Sequence, residues 1–249
     1  MSKFSVVLPA AGRSRRFNDR AYKKPFAPLG GRAVWLHSAE RFLSRPDVCQ
    51  VILVIAAEDR EAFHRKFGAN IAILGVDLCE GGAERSDSIG NALELLSDEA
   101  DMVAVHDAAR PCCADKWIDA VFSAAQRSGA AILATPVAAT LKRAKDDRQP
   151  PVIGETVERT GVWEAQTPQA FRRDWLAAAY ATRGETAATD DAELVQRLGH
   201  PVELIKGSPL NLKITTKEDQ LLAEQILKVL PTANPGGAAH PFADDDLWR

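Results

Sequence analysis

A single α/β domain, with a mostly parallel central sheet, helices on both faces and one projecting β-hairpin arm, is the fold this sequence predicts. Three observations predict it. Short apolar runs alternate with segments of helical period, beginning with Phe4–Leu8, Ala33–Leu43 and Val51–Ala56. The strand runs are largely apolar instead of alternating with polar residues, as a sheet covered on both faces requires. A chain of 249 residues, 46% hydrophobic and 26% charged, is also long enough to bury one large core.

Phe4 to Leu8 reads as a buried strand bounded by Pro9. Trp35, Leu36, Ala39, Phe42 and Leu43 then share one helical face, and Pro46 stops that helix. Val51–Ala56 is a second strand, Glu58–Phe67 a helix and Ile71–Leu74 a third strand. A helix around Ile89–Leu96 leads to a strand at Met102–Val105. Asp115 is placed to cap a helix carrying Trp117, Ile118, Val121 and Phe122, which is followed by a strand at Ala130–Ala134.

The alternation then lapses. Thr140–Thr160 holds two short alternating segments around a charged, proline-bearing turn, which reads as a hairpin arm spanning about 139–160. Val152, Ile153 and Val157 would be left in water on such an arm, so it is expected to pack on a second subunit in a homodimer. Trp175–Tyr180 and Asp190–Leu198 read as helices, the second capped by Thr189 and closed by Gly199. Strands follow at Val202–Ile205 and Leu212–Ile214. The last helix opens on the capping-box pattern Thr216–Asp219 and is expected to bury Leu222, Ile226 and Leu230. One domain thus spans residues 1–230, and the Pro-, Gly- and Asp-rich stretch 231–249 is expected to be a flexible tail.

The loop after the first strand is the most unusual stretch. Small residues Ala10, Ala11 and Gly12 let backbone approach a ligand closely. Arg13, Arg15, Arg16, Arg20, Lys23 and Lys24 follow, with only Asp19 against them, giving a local balance of plus five in a chain of net charge −3. Such a loop suits a polyphosphate, because amide donors and basic side chains together neutralise it. One basic cluster is too small for a nucleic-acid or membrane partner, either of which needs a broad basic face.

No apolar run reaches the roughly 18 residues a membrane span requires. The first strand begins at residue 4, leaving no room for a targeting peptide, and a cytoplasmic location is expected. Cys49, Cys79, Cys112 and Cys113 have neither metal-type spacing nor the number for a disulfide framework, so they read as thiols in a reducing compartment. His106 has no second His or acidic residue at ligand spacing and reads as a packed histidine. Neither G-x-G-x-x-G nor G-x-x-x-x-G-K-[ST] occurs. With Arg and Lys in place of those backbone cradles, the basic loop suits a reaction at a phosphate better than storage of a cofactor.

Five stretches in order narrow the reading: VVLPAAGRSRRF with Lys24, GGAERSDSI (81–89), VHDAARPC (105–112), TVERTGVWEAQTPQAF (156–171) and NLKIT (211–215). Together they resemble the 2-C-methyl-D-erythritol 4-phosphate cytidylyltransferase family, over residues 4 to about 230. The resemblance implies a Rossmann-like nucleotidyltransferase domain that joins CTP to a sugar-alcohol phosphate and releases pyrophosphate, with Mg2+ as cofactor. It implies catalytic roles for Arg16 and Lys24 at the reacting phosphates. Pro9, Ala10, Ala11 and Gly12 would line the ribose and triphosphate, Gly82 and Ser88 the cytosine, with Arg85 supporting that loop. Asp107 would stand beside the ribose and the metal. Arg110, Thr140, Arg159 and Lys213 would bind the acceptor phosphate, Arg159 from the neighbouring subunit's arm.

The chain departs from the family pattern at two places. Family members commonly show Pro-Lys-Gln where Lys23-Lys24-Pro25 stands, so the catalytic lysine is Lys23 or Lys24, and Lys24 keeps the spacing to Phe26 and the Pro28–Gly31 turn. An acidic residue is also frequent where Ala83 stands. Two rivals stay open at this point. One is a cytidylyltransferase for another polyol phosphate, such as ribitol 5-phosphate. The other is a nucleotide-binding regulator without catalysis.

Overall fold

Phe4, Val6 and Leu8 face one side of the first strand and Val7 the other, and all four are fully buried, so this strand is covered on both sides. In the computed structural model, which describes residues 2–12, 23–184 and 188–230, it is β1 (Lys3–Pro9), an interior strand of a seven-stranded sheet. The elements that follow are β2 (Pro28–Leu29), β3 (Arg32–Ala33), α1 (Val34–Leu43), β4 (Val48–Ile55), α2 (Arg60–Leu74) and β5 (Asp77–Glu80). Then come α3 (Arg85–Leu93), β6 (Ala100–Val105), α4 (Asp115–Ser128), β7 (Ala130–Pro136), β8 (Leu141–Ala144) and β9 (Ile153–Val157). The chain closes with β10 (Trp163–Arg172), α5 (Arg173–Ala181), α6 (Asp191–Arg197), β11 (Glu203–Lys206) and α7 (Lys217–Val229). The stretch 231–249, expected as a tail, lies outside the described residues.

The sheet order is β11-β7-β10-β6-β1-β4-β5. Every neighbouring pair is parallel except the two made by β10, which runs antiparallel to both β6 and β7. Side chains of α1, α2, α4 and α7 pack on one face, where Phe4 stacks on Phe122 with ring centroids 3.8 Å apart. Side chains of α3, α5 and α6 cover the other face around Val7, Ile52 and Val105. From β1 the chain winds outward through β4 to β5 and then crosses to β6 on the opposite side of β1. The crevice beyond the C-terminal ends of β1 and β6 is therefore a topological switch point, where open α/β sheets bind ligands.

The predicted mostly parallel sheet and the hairpin are borne out, with β8 and β9 pairing antiparallel as a separate two-stranded sheet. Several elements differ from expectation. Ile71–Leu74 is not a strand but the last turn of α2, where Phe63, Phe67, Ile71 and Leu74 form a helical stripe against the core and Gly75 closes the helix at φ 63°. The strand falls instead at Asp77–Glu80. Leu212–Ile214 has no sheet pairing and is held by Ile214 N donating to Ala109 O at 2.8 Å.

Nothing in the periodicity predicts β10. Its inward residues Gln166, Thr167 and Gln169 are buried but polar, and Pro168 cannot donate to a ladder, so the usual signs of a central strand are missing. The caps differ too. Ala114, not Asp115, is the N-cap of α4, and Asp190 instead of Thr189 caps α6 by accepting from Glu193 N at 2.9 Å. The Thr216–Asp219 capping box is present, but α7 turns Ala223 inward and leaves Leu222 mostly in solvent.

Candidate active site at the sheet switch point

The segment His106–Arg110 leaves β6 and is tied down at nearly every polar group. His106 N extends the ladder to Val7 O at 2.9 Å, and Asp107 N donates to the Thr167 hydroxyl at 3.0 Å. Ser38, buried on α1, donates to Ala108 O at 3.0 Å, and Arg110 N turns back to Asp107 O at 2.9 Å. His106 is fully buried against Phe42. Its Nε2 lies 3.1 Å from Arg110 O and its Nδ1 3.3 Å from the Thr167 hydroxyl. That pattern suits the neutral ring donating from Nε2 and accepting at Nδ1. Burial pushes its pKa down to about 4, against the pull of the Arg110 carbonyl and Asp107, so it is neutral at physiological pH. The expectation of a packed histidine holds.

This rigid turn presents Asp107. Its Oδ2 accepts from Arg110 Nε at 3.1 Å and lies 2.9 Å from Lys213 Nζ. Arg110 also donates to Asn211 O at 2.7 Å, and buried Asn211 donates to Gln166 Oε1 at 3.3 Å and Thr167 O at 2.8 Å. Burial would raise the Asp107 carboxyl, but Lys213 and Arg110 outweigh it and hold the group well below the usual carboxylate range. Three residues singled out in the sequence, more than a hundred positions apart at the extremes, thus meet at one oxygen atom. Among the described residues, Asp107 Oδ1 has no hydrogen-bond or ion-pair partner.

On the other side of the crevice, Pro9 ends β1 and Ala10 and Ala11 follow it, with Ala10 N donating to Val54 O at 2.7 Å. The turn after β5 lies against this loop. A Cβ on Gly81 would stand 2.6 Å from Ala11 Cβ, and one on Gly82 2.3 Å from Asp87 Cβ, so both positions require glycine for close approach. Gly82 N donates to the Ser88 hydroxyl at 3.1 Å, and that hydroxyl donates to Glu84 O at 3.1 Å. Ser88 therefore shapes the turn from within, while Gly82 stands exposed at its surface. Arg85, the first residue of α3, forms a forked ion pair with Asp191. Gly12 is exposed at the edge of the described segment.

Arg16 lies outside the described residues, as does the side chain of Lys24. Lys23 is occupied: its Nζ is 2.7 Å from Asp59 and 3.1 Å from Glu58. Thr140 is exposed at the root of the arm, where Arg159 donates to Ala138 O. Neither is joined to the Asp107 cluster by a hydrogen bond or ion pair among the described residues. Sequence reasoning missed Thr167, Asn211 and Asp191 as site supports. Their signal was available only in part, as polar residues inside otherwise apolar segments.

For a divalent ion, no group of three His, Cys, Asp or Glu side chains comes together among the described residues. A single carboxylate with one oxygen open fits a magnesium ion held jointly with substrate phosphates and water better than a protein-enclosed metal. No helix among the described residues is long and apolar enough to cross a membrane. All four cysteines are free, and burial pushes the adjacent Cys112 and Cys113 thiols up to about 12, which makes them inert packing groups.

The family model for 2-C-methyl-D-erythritol 4-phosphate cytidylyltransferase matches residues 4–229. A protein of that name from Rhodopirellula baltica is 43% identical over 234 residues, covering 90% of this chain and 94% of its own. The crystal structure of the same-named protein from Thermus thermophilus superimposes with a TM-score of 0.72 at 34% identity, covering 90% of this chain and 98% of that one. The 4-diphosphocytidyl-2C-methyl-D-erythritol synthase of Anaerococcus prevotii gives a TM-score of 0.75 at 26% identity, over 91% of this chain and 99% of that one.

Proposed function

Since the chain belongs to the 2-C-methyl-D-erythritol 4-phosphate cytidylyltransferase family, we propose how its own residues divide the work of that reaction. The protein transfers CMP from CTP to 2-C-methyl-D-erythritol 4-phosphate, in non-mevalonate isoprenoid biosynthesis. A phosphate oxygen of the acceptor attacks the α-phosphorus of CTP. The new P–O bond forms as the bond to the bridging oxygen breaks, and that electron pair leaves with pyrophosphate.

The observation that carries the assignment of roles is the meeting of Asp107, Arg110 and Lys213 at one carboxylate oxygen beyond β6. Arg110 and Lys213 are the cations for the acceptor phosphate, held in place beforehand by Asp107. A phosphate monoester loses its second proton near pH 6, so the attacking oxygen is already ionised at neutral pH. No general base is required, in keeping with a histidine at position 106 whose ring is buried and used in hydrogen bonds. What the step needs is neutralisation of charge on the α-phosphate and leaving group. Arg16 and Lys24 fill that role. The engagement of Lys23 with Glu58 and Asp59 supports Lys24 as the reacting lysine.

Pro9, Ala10, Ala11 and Gly12 approach the ribose and triphosphate, and Gly82, with Ser88 and Arg85 behind it, meets the cytosine. Asp107 Oδ1 would hold Mg2+ together with the nucleotide phosphates, and the ion when bound supplies charge neutralisation at those phosphates. The arm presents Ile153 at 63% exposure and Val152 at 47%, which supports its packing on a second subunit of a homodimer and the delivery of Thr140 and Arg159 to the acceptor. Free cysteines support a reducing cytoplasm.

Pyrophosphate release by the purified protein tests the reading, with 2-C-methyl-D-erythritol 4-phosphate and ribitol 5-phosphate each paired with CTP, ATP, GTP and UTP. Turnover is expected with the erythritol phosphate and CTP. Turnover confined to ribitol 5-phosphate, or CTP binding without turnover on either acceptor, would sink it.

A further inference from the structure

Arg85 and Asp191 are 106 residues apart, yet they form a forked ion pair on a fully buried carboxylate. Asp191 is 0% exposed, and its two oxygens accept from Arg85 at 3.2 and 2.6 Å. Tyr180 on α5 donates a further hydrogen bond to Asp191 Oδ1 at 2.5 Å. Two planar groups in this arrangement fix each other's orientation as well as distance.

Both ends of the pair are tied to the site. Arg85 opens α3 directly after the Gly81–Gly82 turn. Asp191 opens α6, and the preceding residue, Asp190, accepts from Gln169 on β10 at 2.9 Å, while Gln169 Oε1 accepts from Ala192 N at 3.2 Å. β10 also carries Thr167, which receives Asp107 N. A continuous polar path thus runs from the Asp107 turn through β10 and the start of α6 to the turn assigned to cytosine.

We propose that Asp191 is a positioning residue for the nucleotide base: its forked pair with Arg85 sets where the Gly81–Gly82 turn and the first turn of α3 stand against the crevice. This rests on the reading of that turn as the cytosine contact. Asp191 touches no substrate, and its effect passes through Arg85.

Steady-state rates with CTP and the acceptor varied separately test it. Asp191→Asn keeps the shape but removes the charge, and Arg85 at 37% side-chain exposure can turn to solvent instead of being stranded. KM for CTP is expected to rise about tenfold, with kcat and the acceptor KM within about twofold, since coupled neighbours in one network differ by such factors. Tyr180→Phe and Arg85→Lys should shift KM for CTP in the same direction by less, the lysine because it cannot reproduce the fork. These two carry the test if thermal melts show Asp191→Asn to be unfolded. A fall in kcat with both KM values unmoved marks a merely structural role and overturns the inference. Ser88→Ala separates the two levels. If it leaves KM for CTP unchanged, the cytosine reading of the turn fails; if it raises KM while the Arg85, Tyr180 and Asp191 variants do not, only the positioning role fails.

Discussion

The Asp107 cluster and the hairpin arm both carry basic residues assigned to the acceptor, but they are held in place by different means. Arg110 and Lys213 meet a buried carboxylate on a turn whose polar groups are bonded to α1, β1, β10 and the Asn211 segment. Arg159 and Thr140 flank the exposed two-stranded sheet of the arm at its root, and the Arg159 guanidinium reaches the Ala138 carbonyl there. Two-stranded hairpins have little stability of their own. The core therefore preorganises half of the proposed acceptor site, and the proposed second subunit would organise the rest.

The nucleotide side sets the largest effect against which both halves are measured. Arg16→Ala or Lys24→Ala should lower kcat by roughly 10²- to 10³-fold, the usual loss for one donor at developing charge. Lys23→Ala should leave kcat much closer to that of the unaltered protein. Equal losses for the two lysines in rapid-quench assays would show that the Lys23 ion pairs do not distinguish them.

Removing the shared carboxylate should cost stability as well as activity. Asp107→Asn leaves Arg110 with its Asn211 bond but without a counter-charge, and unfolding by urea should show a loss of about 2 kcal/mol. Arg159→Ala, by contrast, should leave the urea midpoint unmoved and raise the acceptor KM. Mixed dimers of Arg159→Ala and Arg16→Ala subunits should regain activity, because one site then receives an intact Arg159 from its partner. If they recover none, the arm serves its own chain and the contrast with the Asp107 cluster disappears.

The support beneath the cluster titrates. His106 is depressed to about 4 in the fold, so between the ordinary value near 6.5 and 4 the unfolded chain binds the extra proton. Stability at neutral pH is then lost as pH falls through that window, by on the order of 3 kcal/mol. Half-buried His37, bonded to Leu29 O, adds a shift of the same sign. Urea midpoints compared at pH 7 and pH 5 should fall steeply for the natural chain and more gently for His106→Gln. A pH-independent midpoint would place the proton elsewhere.

What could be read from sequence follows the same division. Apolar strands and amphipathic helices announced themselves because burial on one or both faces leaves a period in the text. Ile71–Leu74 misled because a four-residue apolar run does not distinguish a strand from the end of a helix until its register with Phe63 and Phe67 is considered. β10 was invisible for a functional reason: Gln166, Thr167 and Gln169 are buried to brace a site, so they carry polar groups where a strand ordinarily shows Val or Ile. Asp107, Arg110 and Lys213 were found through motifs, but their convergence on one oxygen depends on the turn after β6 and the Asn211 segment lying side by side. Spacing along the chain cannot express that.

The neck of the arm has one last consequence. Val137 N and Val162 O are joined at 3.0 Å, so the ladder of β7 and β10 is already closed before the chain departs into residues 138–161. Closing a shorter loop there costs little entropy, because loop length enters only logarithmically. The arm is thus a cassette on a finished sheet. A chain carrying a short turn in its place should still melt cooperatively and bind CTP, and arms exchanged between relatives should transplant subunit pairing without rebuilding the nucleotide half. Loss of cooperative melting in the shortened chain would show that the arm is part of the fold's foundation.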